Sequence, residues 1–163
     1  WKEGTYGQQE FPCQACHMTQ TEALLADTET DKPLRWVGDH SFPGSHDEEF
    51  LKTAGTVTMK VEDGALVVEL ENQAGHFFPG GAFRTAVVDI SVDGVEVGRL
   101  DYSYENENQL ESGETVTLRY ELTEGAEQAS ARLTYYRYVV NVAGTGLVQS
   151  EVGIVIDEAD LAL

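Results

Sequence analysis

The residues of this sequence best suited to chemistry are Cys13-Gln14-Ala15-Cys16-His17. Two thiols separated by two residues, with an imidazole next in line, make the C-x-x-C-H pentapeptide of covalent haem attachment. The spacing has a physical reason. The thiols reach the two vinyl groups on one porphyrin edge and form thioethers, while the adjacent His17 is set under the iron as the proximal axial ligand. Covalent capture would then hold one haem c per chain without a deep enclosing pocket. Other chemistries use cysteines at this spacing. A thioredoxin-like dithiol would sit in a βαβ pattern, and half of a zinc site would be matched by a second cysteine pair; the chain has neither, although a Cys2His2 zinc site stapling this segment is chemically open. A disulfide between Cys13 and Cys16 would be strained and would close too small a loop to stabilise much.

The remaining histidines are His40, His46 and His76. They lie in two similar segments, Asp39-His40-Ser41-Phe42-Pro43-Gly44-Ser45-His46 and Ala74-Gly75-His76-Phe77-Phe78-Pro79-Gly80-Gly81. Pro and Gly fix a tight backbone, and Phe42, Phe77 and Phe78 can pack on a porphyrin face while an imidazole reaches the metal. A lone loop histidine is ordinarily a solvent-exposed side chain; beside a haem motif, at least one is expected as the distal ligand. His76 is the first choice, because it falls between two expected strands and would be rigidly presented. His40 is the alternative, as distal ligand or as ligand to the haem of a neighbouring subunit. His46 ranks third, since Asp47 beside it can hold its ring by a hydrogen bond. Met18 directly follows the proximal ligand and cannot swing to the opposite face, and Met59 lies mid-strand, so methionine ligation is disfavoured. One motif gives one iron with one further ligand to find. The spare imidazoles are then hydrogen-bond partners, or ligands that link subunits into a polymer with a chain of haems.

Cys13-Gln-Ala-Cys16-His17-Met18, followed by His40-Ser-Phe-Pro-Gly and then Ala74-Gly75-His76-Phe-Phe-Pro-Gly, resembles the C-terminal part of multihaem c-type cytochromes of the cytochrome c554-related kind. The likeness covers roughly Phe11 to Val92. It implies bis-histidine, low-spin haem, electron transfer, and a β-sandwich after the last haem site. It also implies periplasmic or extracellular placement in a bacterium or archaeon. Such relatives carry several haem motifs, whereas this chain carries one.

The elements that must position these residues divide into two textures. Residues 1–55 hold three of the four prolines, both cysteines and three of the four histidines with little periodicity, and read as a loop-rich haem-binding cap. Short helical turns are expected at Thr19–Ala26 and Asp47–Lys52. Residues 56–163 are runs of Val, Thr, Ile, Leu and Tyr punctuated by Gly, Asp and Asn, which read as strands. Those runs are 56–62, 65–71, 84–92, 95–102, 115–122, 129–140 and 147–156, with Asp63-Gly64 and Asp93-Gly94 as hairpin turns. In 115–122, Val116, Leu118, Tyr120 and Leu122 alternate with Thr115, Thr117, Arg119 and Glu121, giving one buried and one wet face. About seven antiparallel strands are the number of an immunoglobulin-like β-sandwich, so a mainly β fold is expected; a barrel is the structural alternative. Cap and sandwich together are small enough for one compact unit.

With 10 Lys and Arg against 29 Asp and Glu, the net charge is −19, spread along the chain. Such a surface repels nucleic acid and anionic membranes and attracts basic partners. No apolar run is long enough to cross a bilayer, so no membrane insertion is expected. The start at Trp1, with no basic-then-apolar leader, is expected of a secreted chain after signal removal. No G-x-S-x-G elbow, phosphate loop or H-E-x-x-H occurs, and no enzymatic activity is expected. The function expected is electron transfer to redox partner proteins. The alternatives are a haem-based sensor or small-ligand binder and a zinc-stapled structural β-sandwich. Trp1, Trp36 and Tyr6 could shield the porphyrin, but core packing is their commoner use.

Overall fold

The computed structural model describes residues 2, 4–24, 33–81, 83–140, 147–149 and 152–163. Trp1, Leu25 and Ala26 lie outside them, as does part of the run 147–156. The cap holds α1 (Thr5–Gln8), α2 (Cys13–His17), the strand pair β1 (Gln20–Ala23) and β2 (Arg35–Gly38), and α3 (Glu48–Leu51). The sandwich holds β3 (Gly55–Glu62), β4 (Ala65–Asn72), β5 (Arg84–Val92), β6 (Val95–Ser103), β7 (Thr115–Glu121), β8 (Gln128–Val140), β9 (Leu147–Gln149) and β10 (Ile154–Ala162).

One sheet has the order β3-β4-β7 and the other β10-β8-β5-β6, with β9 also on β8; every pairing is antiparallel and neither sheet closes into a barrel. Successive strands cross between the sheets after β4, β6 and β7, which gives the Greek-key connectivity of an immunoglobulin-like sandwich. The two hairpins turn where the aspartate–glycine pairs stand. Asp63 and Gly64 have φ of 52° and 76°, Asp93 and Gly94 49° and 76°, the left-handed pair that a two-residue turn needs to match strand twist.

The facing positions of β4 (Leu66, Val68, Leu70), β5 (Ala86, Val88, Ile90) and β8 (Ala131, Leu133, Tyr135) are all buried and form one core. Met59 packs against that core from β3. Among the described residues, the first member of the core along the chain is Leu51. The described residues before it lie outside that core.

Two elements differ from the sequence reading. The helical turn expected at Thr19–Ala26 is strand β1 over its described part, paired from Gln20↔Gly38 to Ala23↔Arg35. Thr19-Gln20-Thr21-Glu22 carries a polar pattern that fits either element, and a partner strand decides it. The run 147–156 is two strands laid along the same edge of β8. Between them lies Gly153, where a Cβ would collide with the side chains of Thr134 and Tyr136. β10 continues to Ala162, its exposed Glu158 and Asp160 alternating with Ala159 and Leu161, which pack against the core, as suits an edge strand with one wet and charged face. Asp157 also ties the sheets together, its carboxylate accepting from the Val57 N–H at 2.8 Å.

Candidate haem site

Where the core-facing rows of β5 and β8 run out toward the cap, a cavity of about 390 Å³ opens. Its volume falls in the range of roughly 300–1,000 Å³ usual for small-molecule and cofactor sites. Phe78, only 3% exposed, and Tyr135, 1% exposed, form its floor with ring centres 6.3 Å apart. Phe50 comes from α3, while Tyr6 and Phe11, 5.8 Å apart, come from the start of the cap. The walls are predominantly apolar, as a porphyrin face requires.

Each histidine enters by a different element. α2 carries Cys13, Cys16 and His17, and both thiols are exposed, unbonded to each other and on the cavity lining. The His17 Nδ1 lies 2.6 Å from the carbonyl oxygen of Pro43. A carbonyl only accepts, so Nδ1 bears the proton and Nε2 of the neutral ring keeps its lone pair. Phe42 has a left-handed backbone, φ 53°, and its ring stands nearly parallel to His17 at 5.7 Å and 7°. Phe50 lies against the same imidazole at 5.1 Å. His17 is thus fixed in orientation by a hydrogen bond and two aromatic neighbours.

His76 comes from the connection between β4 and β5. Its Nδ1 donates to the Phe77 carbonyl at 2.9 Å, which again leaves Nε2 free. The rings of His17 and His76 are nearly parallel, 11° apart, with centres separated by 6.4 Å. Two thiols and two imidazoles thus share one predominantly apolar cavity, the donor set that covalent haem attachment uses. The residues present therefore fit an iron porphyrin. They fit zinc less well: among the described residues, no three or more His, Cys, Asp or Glu side chains gather at metal-binding distance.

The loop bearing His76 is held by a residue that sequence reasoning passed over. Asn72, fully buried at the end of β4, donates from Nδ2 to the carbonyls of His76 (2.9 Å), Leu110 (3.1 Å) and Glu111 (2.8 Å). Its Oδ1 accepts from the Ala74 N–H at 2.9 Å. In the sequence, a lone Asn after an apolar strand signals no more than a turn. Tyr6 adds a clasp from the cap, donating to the Gln73 carbonyl at 3.4 Å, and Gly75 gives its ring room.

His46 lines the cavity but is exposed. The Asp47 carboxylate beside it accepts from Phe50 N–H at 3.0 Å and caps α3. His40 is exposed in the stretch after β2 and is not on the cavity lining, and Trp36 and Phe77, 66% and 53% exposed, are likewise outside it. Phe42, Phe78 and Tyr6 are on the lining. Arg84 and Tyr135 line it too, although neither stood out in the sequence. Burial pushes the Tyr135 hydroxyl above the usual phenol range, and nearby Arg84 and a hydrogen bond to Ser45 oppose that rise.

No protein-family model and no curated protein sequence matches the chain. A solved structure does: the penta-heme cytochrome c552 from Thermochromatium tepidum superposes with a TM-score of 0.63 at 18% identity, covering 98% of this chain and 51% of that one. The chain has a multihaem-cytochrome-like fold. It spans about half the length of that cytochrome. No described helix is long and apolar enough to cross a membrane.

Proposed function

We propose that this chain is an electron-transfer c-type cytochrome, or the sandwich-bearing part of one, with one haem c bound to Cys13 and Cys16 and ligated axially by His17 and His76. The observation that carries the reading is the His17–His76 pair, with ring centres 6.4 Å apart and each Nδ1 bound to a backbone carbonyl. Iron in such a haem supplies a one-electron ferric/ferrous couple. The chain's part is to present two preoriented nitrogen donors, to pack Phe42 parallel and Phe50 tilted against one of them, and to keep water from the face floored by Phe78 and Tyr135. With both His17 and His76 holding the iron, no position would be open to a substrate, which supports electron relay over catalysis, and two imidazoles would give a lower potential than His/Met ligation.

The exposed α2 leaves the cysteine-bearing edge open to solvent, where a partner's redox centre can approach. Net charge −19 suits a basic redox partner and opposes nucleic acid. His40, exposed and off the cavity lining, is free of this site and is proposed as a ligand to a haem in an adjoining subunit, the arrangement that would build a filament. Placement in the periplasm or outside the cell goes with haem c of this kind.

The test is a visible spectrum of the protein from its native source, oxidised, then reduced with dithionite, then exposed to carbon monoxide. Sharp reduced bands that carbon monoxide leaves alone are expected. Displacement by carbon monoxide would replace the relay with a sensor or small-ligand binder, and the absence of a Soret band would return the chain to a zinc-stapled structural sandwich. In the His76→Gly variant, carbon monoxide should bind, whereas His40→Gly should leave the isolated subunit's spectrum unchanged.

A further inference from the structure

Arg84 is a cation in an unexpected place. The core-facing row of β5 runs Arg84, Ala86, Val88, Ile90; the last three are fully buried, so the first projects on the same side, where the row reaches the cavity. It is partly buried, and its guanidinium lies so close over Gly80 that a Cβ there would stand 3.1 Å from Nη1. Among the described residues it is the only Lys or Arg on the cavity lining. The ion pairs among those residues engage Lys52, Lys60, Arg99, Arg119 and Arg132 and leave Arg84 without a carboxylate.

A second observation points the same way. Arg84 stands directly opposite Arg137 in the β5–β8 register. Like charges at opposed positions of an antiparallel pair repel and destabilise. An anion beside them converts that repulsion into attraction, and a guanidinium is the side chain best shaped to hold a carboxylate through two parallel hydrogen bonds.

We infer that Arg84 is the anchor for a haem propionate carboxylate, with Arg137 reinforcing the positive field. This inference rests on the haem reading above and adds to it how the porphyrin is fixed in the cavity at a point other than its thioethers and axial ligands. The chemistry is carboxylate recognition by a cation that the described residues leave without a carboxylate.

The test compares the holoprotein with Arg84→Gln, Arg84→Lys and, as a surface control, Arg99→Gln. Covalent haem is first verified in the unsubstituted protein, so that loss of the haem reading is seen before any variant is made. Arg84→Gln should shift the propionate bending band in the resonance Raman spectrum. It should also move the redox equilibrium about tenfold toward the oxidised form, which for one electron is about 59 mV downward. Arg84→Lys should keep most of the potential while shifting the Raman band, because it keeps charge and loses the fork. Arg99→Gln should change neither. If Arg84→Gln does not fold with haem, the Raman band of Arg84→Lys decides. An unshifted band in whichever variant folds, with haem in place, overturns the inference.

Discussion

Asn72→Leu is the substitution that most directly tests whether the site is built from the sandwich outward. Leucine keeps the branch at Cγ and nearly the same volume, so the change removes polarity more than packing. The two hydrogens on Nδ2 serve three carbonyls, those of His76, Leu110 and Glu111, and Oδ1 serves the Ala74 N–H. Because three acceptors share two hydrogens, the loss amounts to about three full hydrogen bonds, each worth about 0.5–1.5 kcal/mol net. Asn72 is 0% exposed, so the groups around it cannot all be rehydrated in place. The expected cost is about 3 kcal/mol, at the upper end of ordinary single substitutions. Urea unfolding of the holoprotein, followed by far-ultraviolet circular dichroism, reads the global part. Carbon monoxide binding to the reduced protein reads the local part, since the freed 74–79 segment should release His76 from the iron. A cost below about 1 kcal/mol, together with undiminished resistance to carbon monoxide, would refute the idea that Asn72 clamps the ligand loop.

Replacing Cys13 and Cys16 together by alanine should leave any haem extractable into acidified organic solvent, where the unsubstituted protein retains it; retention by the variant would mean that the thiols are not the attachment points. Gly98→Ala should cost about 1–3 kcal/mol in a thermal or urea titration, because its Cβ would run into the Tyr120 ring, whereas Gly81→Ala meets nothing within 4 Å and should be near neutral. Burial raises the hydroxyl pKa of Tyr135 and Tyr102 above 10. Above pH 10 the unfolded chain therefore gives up protons that the folded one keeps. Stability should be full below that pH and fall above it by at most about 1.4 kcal/mol per pH unit for each tyrosine, with a shallower fall in Tyr135→Phe.

The strands of the sandwich were legible because their apolar alternation and their turns agree. Val116, Leu118 and Tyr120 mark one face of β7, and Asp-Gly pairs end β3 and β5 where left-handed backbone is required. The acidic end of β10 was not legible, since its inward positions begin with Asp157, which bonds the Val57 N–H, and with the small Ala159, so that the alternation completed by Leu161 is hidden among charges. At Gln20–Ala23 the polar pattern suits helix and strand equally, and only pairing with β2 decides the matter. In the site, Cys13, Cys16 and His17 stand in one recognisable pentapeptide and His76 in a Gly- and Pro-bounded segment, and the fold brings all four to one cavity. Asn72, Arg84 and Tyr135 act through tertiary position alone: a strand end, an inward-facing strand start and a core residue near the rim. No local pattern separates them from other Asn, Arg and Tyr in the chain.

Among the described residues, the core begins at Leu51, and the segment bearing the cysteines lies outside it. Biosynthesis should therefore run in two stages. The sandwich can condense first, presenting the cavity floor and the His76 loop, while α2 stays detachable with both thiols accessible to whatever attaches the haem. On the proposed reading, attachment would then turn a peripheral strip of chain into a permanent part of the molecule, so that stripping the iron should loosen the cap long before it melts the sheets.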